Sequence, residues 1–257
     1  MELVLPITNF ASFFLVFIRV GAIMMTAPLL GHRSVPAIWR LGFAGMLSFI
    51  LLLAHGEPAA PLPTELFAFL MVMAQELALG LMVGFACRLV FEGITMAGRL
   101  IGLQMGLGFG GLFGDGSAEE AKLFDQLYYL MAILIFLAIN GHHWLIMEVG
   151  RTFDLMPLGT FTFDGAVPQA LITLTGNLFL VAAKISLPVV GTLLLADLAL
   201  TIMGRVMPQM QVFIVGLPLK IMLGFFTIMV ALPFTVDSMG ILFRGITGDV
   251  ELLMQQL

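Results

Sequence analysis

The chain has 257 residues, of which 60% are hydrophobic and only 11% charged, and its mean hydropathy is +1.10, a composition that places it among integral membrane proteins. Eleven Lys and Arg against sixteen Asp and Glu give a net charge of −5 with no basic run, which excludes a nucleic-acid partner. The single cysteine, Cys87, excludes an intramolecular disulfide and any cysteine-rich metal site.

In chain order, MELVLPITNF carries Glu2 where a secretory signal has Lys or Arg, and the first apolar run is too long for a signal h-region. A retained first span is therefore expected. A span needs about 20 predominantly apolar residues. Six windows come near that, at 9–30, 39–55, 66–87, 126–147, 171–196 and 212–236. The connections follow turn chemistry, with GHRSVPAIWR after the first, HGEPAAPLPT after the second and MPLGTFTFDGAVPQ after the fourth. All are short, so the expected fold is an all-α integral membrane protein of about six long apolar helices with no soluble domain. Arg33, Arg40, Arg99, Lys122 and Arg205 fall in the odd-numbered loops, against Arg151 and Arg244 opposite. This charge bias puts the odd loops in the cytoplasm.

Arg19, Glu76, Lys184 and Lys220 lie inside these windows, and Pro188, Pro218 and Pro233 interrupt the last two. A charge at such depth costs at least ~2.5 kcal/mol on insertion scales and faces protein or water. Kinked helices buried against partners are expected. Lys184 and Asp197 are 13 residues apart, about 220° around an ideal helix, so in a straight helix each needs a partner elsewhere. Pairing between subunits is the expected solution. The alternatives are a kink at Pro188 that brings the two together, or a position for Asp197 at the water boundary.

The stretch Gly98 to Lys122, GRLIGLQMGLGFGGLFGDGSAEEAK, is unlike any other. Gly98, Gly102, Gly106, Gly110 and Gly114 fall every fourth residue, the spacing of a small-xxx-small helix seam. Gly108, Gly111 and Gly116 are added from Gly106 onward, and each glycine in a helix interior costs about 1 kcal/mol relative to alanine. The helix is therefore expected to end near Met105. An apolar loop with Leu107, Phe109, Leu112 and Phe113 follows, ending where Ser117 can cap a new helix and Glu120 completes a capping box. Apolar loops in membrane proteins survive when buried in protein or lining a cavity. Two readings follow from the residues: a plug filling a pore lumen with Phe109 and Phe113, or a fixed packing segment.

Most chemical-looking motifs are empty. Gly106, Gly108 and Gly111 formally match a dinucleotide fingerprint, but a helix precedes them instead of a strand and no acidic residue follows at the required distance. Adjacent His142 and His143 cannot share a metal as an i, i+4 pair does. With Trp144 they read as the interfacial end of the fourth span. Hydrolase and intramembrane protease signatures are missing, so no enzyme and no cofactor are expected. Met105, Met203, Met207 and Met210 flank the two unusual loops. They read as adaptable core filler, with a soft lining that reseals around cargo as the functional alternative.

The stretch GRVMPQMQVFIVGLPLKI, Gly204 to Ile221, resembles the signature of the FliR family of the bacterial flagellar type III export apparatus. The segment MTAPLLGHRSVPAIWRLGFAG, Met25 to Gly45, is similar to the same family, and the resemblance covers nearly the whole chain. It implies a non-enzymatic subunit of an export gate in the bacterial inner membrane, within the flagellar basal body. FliP-like and FliQ-like subunits would complete a helical ring around a pore for unfolded flagellar proteins. Residues 1–165 would be the FliP-like part, and 166–257 a FliQ-like hairpin and tail. The glycine-rich loop would be a lumen plug formed by Gly106, Gly108, Phe109, Gly110, Gly111, Phe113 and Gly114. Helices raised out of the bilayer would leave Arg19, Glu76, Lys184, Asp197 and Lys220 as subunit-interface charges. The loop with Arg205, Pro208, Gln209 and Gln211 would face the cytoplasm, near which an FlhB-like switch protein docks. The Gly216-Leu217-Pro218 run before Leu219-Lys220 favours a flagellar over an injectisome member.

A secondary transporter for a small solute is the rival class, since broken helices and intramembrane charges also bind substrates at the midplane. Inverted repeats would support it, and none is visible between the halves.

Overall fold

The computed structural model describes residues 7–28, 31, 35–55, 63, 65–107, 118–161, 166–207 and 212–255. Regular structure among them is helical throughout: α1 (Ile7–Thr26), α2 (Ala37–His55), α3 (Leu66–Gln104), α4 (Ala118–Ala138), α5 (Gly141–Leu155), α6 (Ala166–Val206) and α7 (Val212–Gln255). Among the described residues four helices are long and apolar enough to cross a membrane, or five if the bent pair α4–α5 counts as one span. Phe10–Thr26 of α1 forms a shorter apolar helix. The all-α membrane class holds, with a span count slightly below the six expected.

Two features depart from the expected windows. First, α3, α6 and α7 run for 39, 41 and 44 residues. At 1.5 Å per residue that is about 58–66 Å, twice the ~30 Å hydrocarbon core. Hydropathy marks only the apolar middle of such a helix, and helix-compatible flanks extend it. Pro188, Pro218 and Pro233 lie inside α6 and α7 without ending them.

Second, the fourth window is not one helix. Asn140 adopts the left-handed region (φ 58°, ψ 32°), which Asn tolerates better than most residues. The helix breaks there, α4 ending at Ala138 and α5 starting at Gly141. His142, His143 and Trp144 therefore open α5 instead of closing α4, a correction to the sequence reading. The Asn140-Gly141 dipeptide was the available turn signal.

The chain packs as two compact units, one of residues 1–89, 140–175 and 244–257, the other of residues 90–139 and 176–243. In the first, α1 packs on α2 and on the first half of α3. Leu15, Val20, Ile23, Leu79 and Val83 are almost fully buried there. The approach of α1 to α3 runs over Gly80 and Gly84: a Cβ at Gly80 would lie 2.5 Å from the Arg19 carbonyl oxygen, and one at Gly84 would overlap the Thr26 hydroxyl.

In the second unit the rings of Phe91, Phe136 and Phe243 form a mutually contacting cluster with centroids 4.9–5.3 Å apart. Gly98 lets α3 lie against α4, since an added Cβ would sit 2.5 Å from the Phe124 carbonyl oxygen and 3.0 Å from Tyr128 Cβ. The small-residue seam inferred from sequence thus exists at Gly98. Gly98→Ala is expected to destabilise the protein by about 1–3 kcal/mol, because the atom it meets is backbone and cannot rotate away. Gly176→Ala, which meets nothing within 4 Å, is the control. Thermal unfolding in detergent should rank them so, and equal midpoints would remove the seam.

Candidate functional site

The glycine-rich stretch begins at a defined stop. Leu107 N–H donates to the Gly102 carbonyl at 3.2 Å and Gly106 N–H to the Leu103 carbonyl at 3.0 Å. With Gly106 at φ 88°, these are the paired bonds of a Schellman cap, which needs a left-handed residue one past the helix. The expected end near Met105 is therefore found within a residue. Gly106 is the only proposed plug residue described; Gly108, Phe109, Gly110, Gly111, Phe113 and Gly114 lie outside the described residues. Ser117 does too, and α4 begins at the next position.

Both roots of this stretch are fastened within the second unit. On the α3 side, Gln104 Nε2 donates to Asp197 Oδ2 of α6 at 3.0 Å, and Lys220 Nζ of α7 donates to the same carboxylate at 2.9–3.0 Å. Met105 is fully buried, against Gly224 of α7, where an added Cβ would come within 2.7 Å of it. On the α4 side, Arg99 Nη2 donates to Asp125 Oδ2 at 2.9 Å. The Phe124 ring packs 5.8 Å from that of Phe225. Helices α3, α4, α6 and α7 therefore hold the ends of the segment. Gln104, Arg99 and Asp125 were missed by sequence reasoning, which had no local signal for them.

The first unit holds a second polar constellation, around Arg19 and Glu76, both 0% exposed. Arg19 Nε donates to Glu76 Oε2 at 2.5 Å, and Nη1 donates to the carbonyls of Thr152 at 3.1 Å and Met156 at 2.7 Å. Those carbonyls are at the C-terminal end of α5, where the helix dipole favours a cation. The guanidinium also lies 4.4 Å from the Phe153 ring centroid, a cation–π contact. Glu76 Oε1 accepts the Gly159 N–H at 2.9 Å, in a turn where Gly159 has φ 76°. One ion pair thus joins α1, α3, the end of α5 and the turn after it. Glu76, Gly80 and Gly84 repeat every four residues, so the face that carries the carboxylate also carries the glycines that admit α1.

These contacts give four of the five expected interface charges partners inside the chain. Arg19 and Glu76, expected at a subunit interface, pair with each other inside the chain, and neither is accessible to a neighbour. Asp197 and Lys220, also expected to meet partner chains, are paired across α6 and α7. The separation argument compared Asp197 only with Lys184 on its own helix, whereas its partner comes from the next one. Lys184 is different: it is exposed midway along α6 and has no polar partner among the described residues. In the second loop, Arg205 is exposed in the last turn of α6. Pro208, Gln209 and Gln211 lie outside the described residues.

Known proteins resemble this chain over most of its length. The family model described as bacterial export proteins, family 1, matches residues 10–246. The flagellar biosynthetic protein FliR of Bacillus subtilis (strain 168) is 35% identical over 232 residues, covering 87% of this chain and 86% of that protein. FliR of Escherichia coli (strain K12) is 34% identical over 212 residues, covering 82% and 80%. FliR of Aquifex aeolicus (strain VF5) is 31% identical over 240 residues, covering 93% and 92%. With a match spanning nearly all of α1 to α7 and relatives aligned over at least four fifths of both chains, the chain belongs to the FliR family of bacterial export proteins.

Proposed function

We propose that this chain is a non-enzymatic subunit of the flagellar type III protein export gate in the bacterial inner membrane. It helps to form and close a pore for unfolded flagellar proteins. The observation that carries this reading is the anchored apolar segment between α3 and α4. Its N-terminal root ends in a hard helix stop at Gly106, and both roots are fastened to neighbouring helices. With its two roots on packed helices, this apolar, glycine-rich sequence suits a lumen plug that acts without unfolding those helices.

Helix lengths support an assembly over an isolated transporter. The apolar window of α7 has 17% of its residues buried inside the chain, that of α6 33%. Their remaining faces need lipid or other chains, and helices of about 60 Å exceed what lipid can cover. FliP-like and FliQ-like subunits are the proposed neighbours, with residues 1–165 as the FliP-like part and the α6–α7 hairpin as the FliQ-like part. In this reading the segment from Arg205 to Gln211 belongs to the cytoplasmic side, where an FlhB-like protein would dock. A photocrosslinker at Gln209 should capture that protein in assembled gates.

Lys184 is the proposed interface charge, because an exposed lysine with apolar flanks costs several kcal/mol in lipid and a carboxylate on a neighbouring helix removes that cost. Co-expression with the two smaller helical proteins, followed by native mass measurement, tests both claims. The parent should emerge with several copies of each. Lys184→Glu should insert normally and lose partners severalfold, whereas undiminished recovery would end the assignment of Lys184. A stable symmetric oligomer of this chain alone would favour the small-solute transporter.

A further inference from the structure

Outside the loop and the Arg19 network, the first unit contains a cavity of about 290 Å³ lined by Trp144, Met147, Glu148, Arg151 and Arg244. Four of these follow the i, i+3, i+4, i+7 pattern that puts residues on one face of a helix, here α5. Arg244 comes from α7. Leu155, four residues after Arg151, continues the stripe and is exposed, as is Met147. The wall thus carries two apolar side chains, two guanidinium groups and one carboxylate, beside an exposed apolar strip.

We propose that this cavity binds the phosphodiester headgroup of an anionic phospholipid, with an acyl chain lying along Met147 and Leu155. Two guanidinium groups against one carboxylate leave a single net positive charge, which matches a phosphodiester better than a doubly charged free phosphate. Glu148 is buried, and its Oε1 accepts one N–H from Arg151 Nη1 at 3.0 Å. That bond fixes the Arg151 side chain while using one of its five donors. Its other N–H groups, together with those that Arg244 does not use within the chain, can meet phosphate oxygens in the bidentate manner of arginine. The Trp144 indole supplies the amphipathic wall typical of the membrane boundary. Basic pockets between membrane helices bind anionic headgroups on the same physical grounds.

The test uses the assembled complex, delipidated and then exposed separately to phosphatidylglycerol, phosphatidylcholine and inorganic phosphate, with retained lipid counted by native mass measurement. Phosphatidylglycerol should be retained in preference to phosphatidylcholine, and millimolar inorganic phosphate should not displace it. The double variant Arg151→Gln with Arg244→Gln should lower retention about tenfold, the size expected for losing charged hydrogen bonds. Lys122→Gln, outside the cavity, should leave it unchanged. Met147→Glu places a negative charge on the exposed wall while keeping both arginines, and should also lower retention even if the double variant fails to assemble. Equal retention of the two lipids, displacement by inorganic phosphate, or undiminished retention in Met147→Glu would each overturn the proposal.

Discussion

Deleting Gly108–Phe113 is expected to leave an export gate that still assembles but conducts ions and small solutes in planar bilayers, where the parent is electrically tight. The deletion starts two residues after the Schellman cap, so the contacts that end α3 remain: Gly106 in its left-handed turn, Met105 against Gly224, and Gln104 on Asp197. It stops before α4, so Arg99–Asp125 and Phe124–Phe225 also remain. Ten residues lie between Leu107 and the start of α4 at Ala118, and a shortened connection can still join helices that already pack at Gly98. A packing segment predicts the reverse, since removing six residues from a close contact would shift each later helix and abolish assembly. An assembled deletion mutant as tight as the parent would end the plug reading for this protein.

Arg19→Met is expected to be the most damaging single substitution in the first unit. It leaves the Glu76 carboxylate buried with only the Gly159 N–H, and breaking a buried ion pair from one side costs about 3–5 kcal/mol. That approaches the whole stability of a typical domain, about 5–15 kcal/mol. It also takes the guanidinium from the Met156 carbonyl and leaves the Thr152 carbonyl with the Met156 N–H. Glu76→Gln should be milder, because the amide oxygen can still accept from Gly159 or Arg19 while the guanidinium keeps two carbonyls and the Phe153 face. The double variant should cost less than the sum of the two, the signature of direct coupling. Thermal unfolding midpoints in detergent and accumulation in the membrane read this order. An Arg19→Met protein within about 0.5 kcal/mol of the parent, the range of an ordinary surface substitution, would show that the network contributes little.

The residue-by-residue reading reached those features that depend on neighbours in sequence. Composition alone established the membrane class, because apolar content on this scale has no soluble solution. The summed glycine penalty located the end of α3 beside Met105, and the Gly204 to Ile221 signature pointed to the family that the comparisons support. Four-residue glycine spacing correctly suggested a helix seam at Gly98, yet it could not say that Gly106, in the same register, would instead stop the helix.

What only the tertiary structure decided was the identity of partners. Arg19 and Glu76 are 57 positions apart and Asp197 and Lys220 are 23 apart, and no periodicity links them. Their pairing depends on which helix faces meet, and close approach over Gly80 and Gly84 for the first pair and over Gly216 for the second helps to set that. The lengths of α3, α6 and α7 were hidden for a related reason: hydropathy measures preference for lipid, whereas a helix continues wherever protein can cover its flanks. Helix packing gave Arg19, Glu76, Asp197 and Lys220 partners inside the chain and left Lys184 exposed, because the cost of a charge is determined by what surrounds it in space.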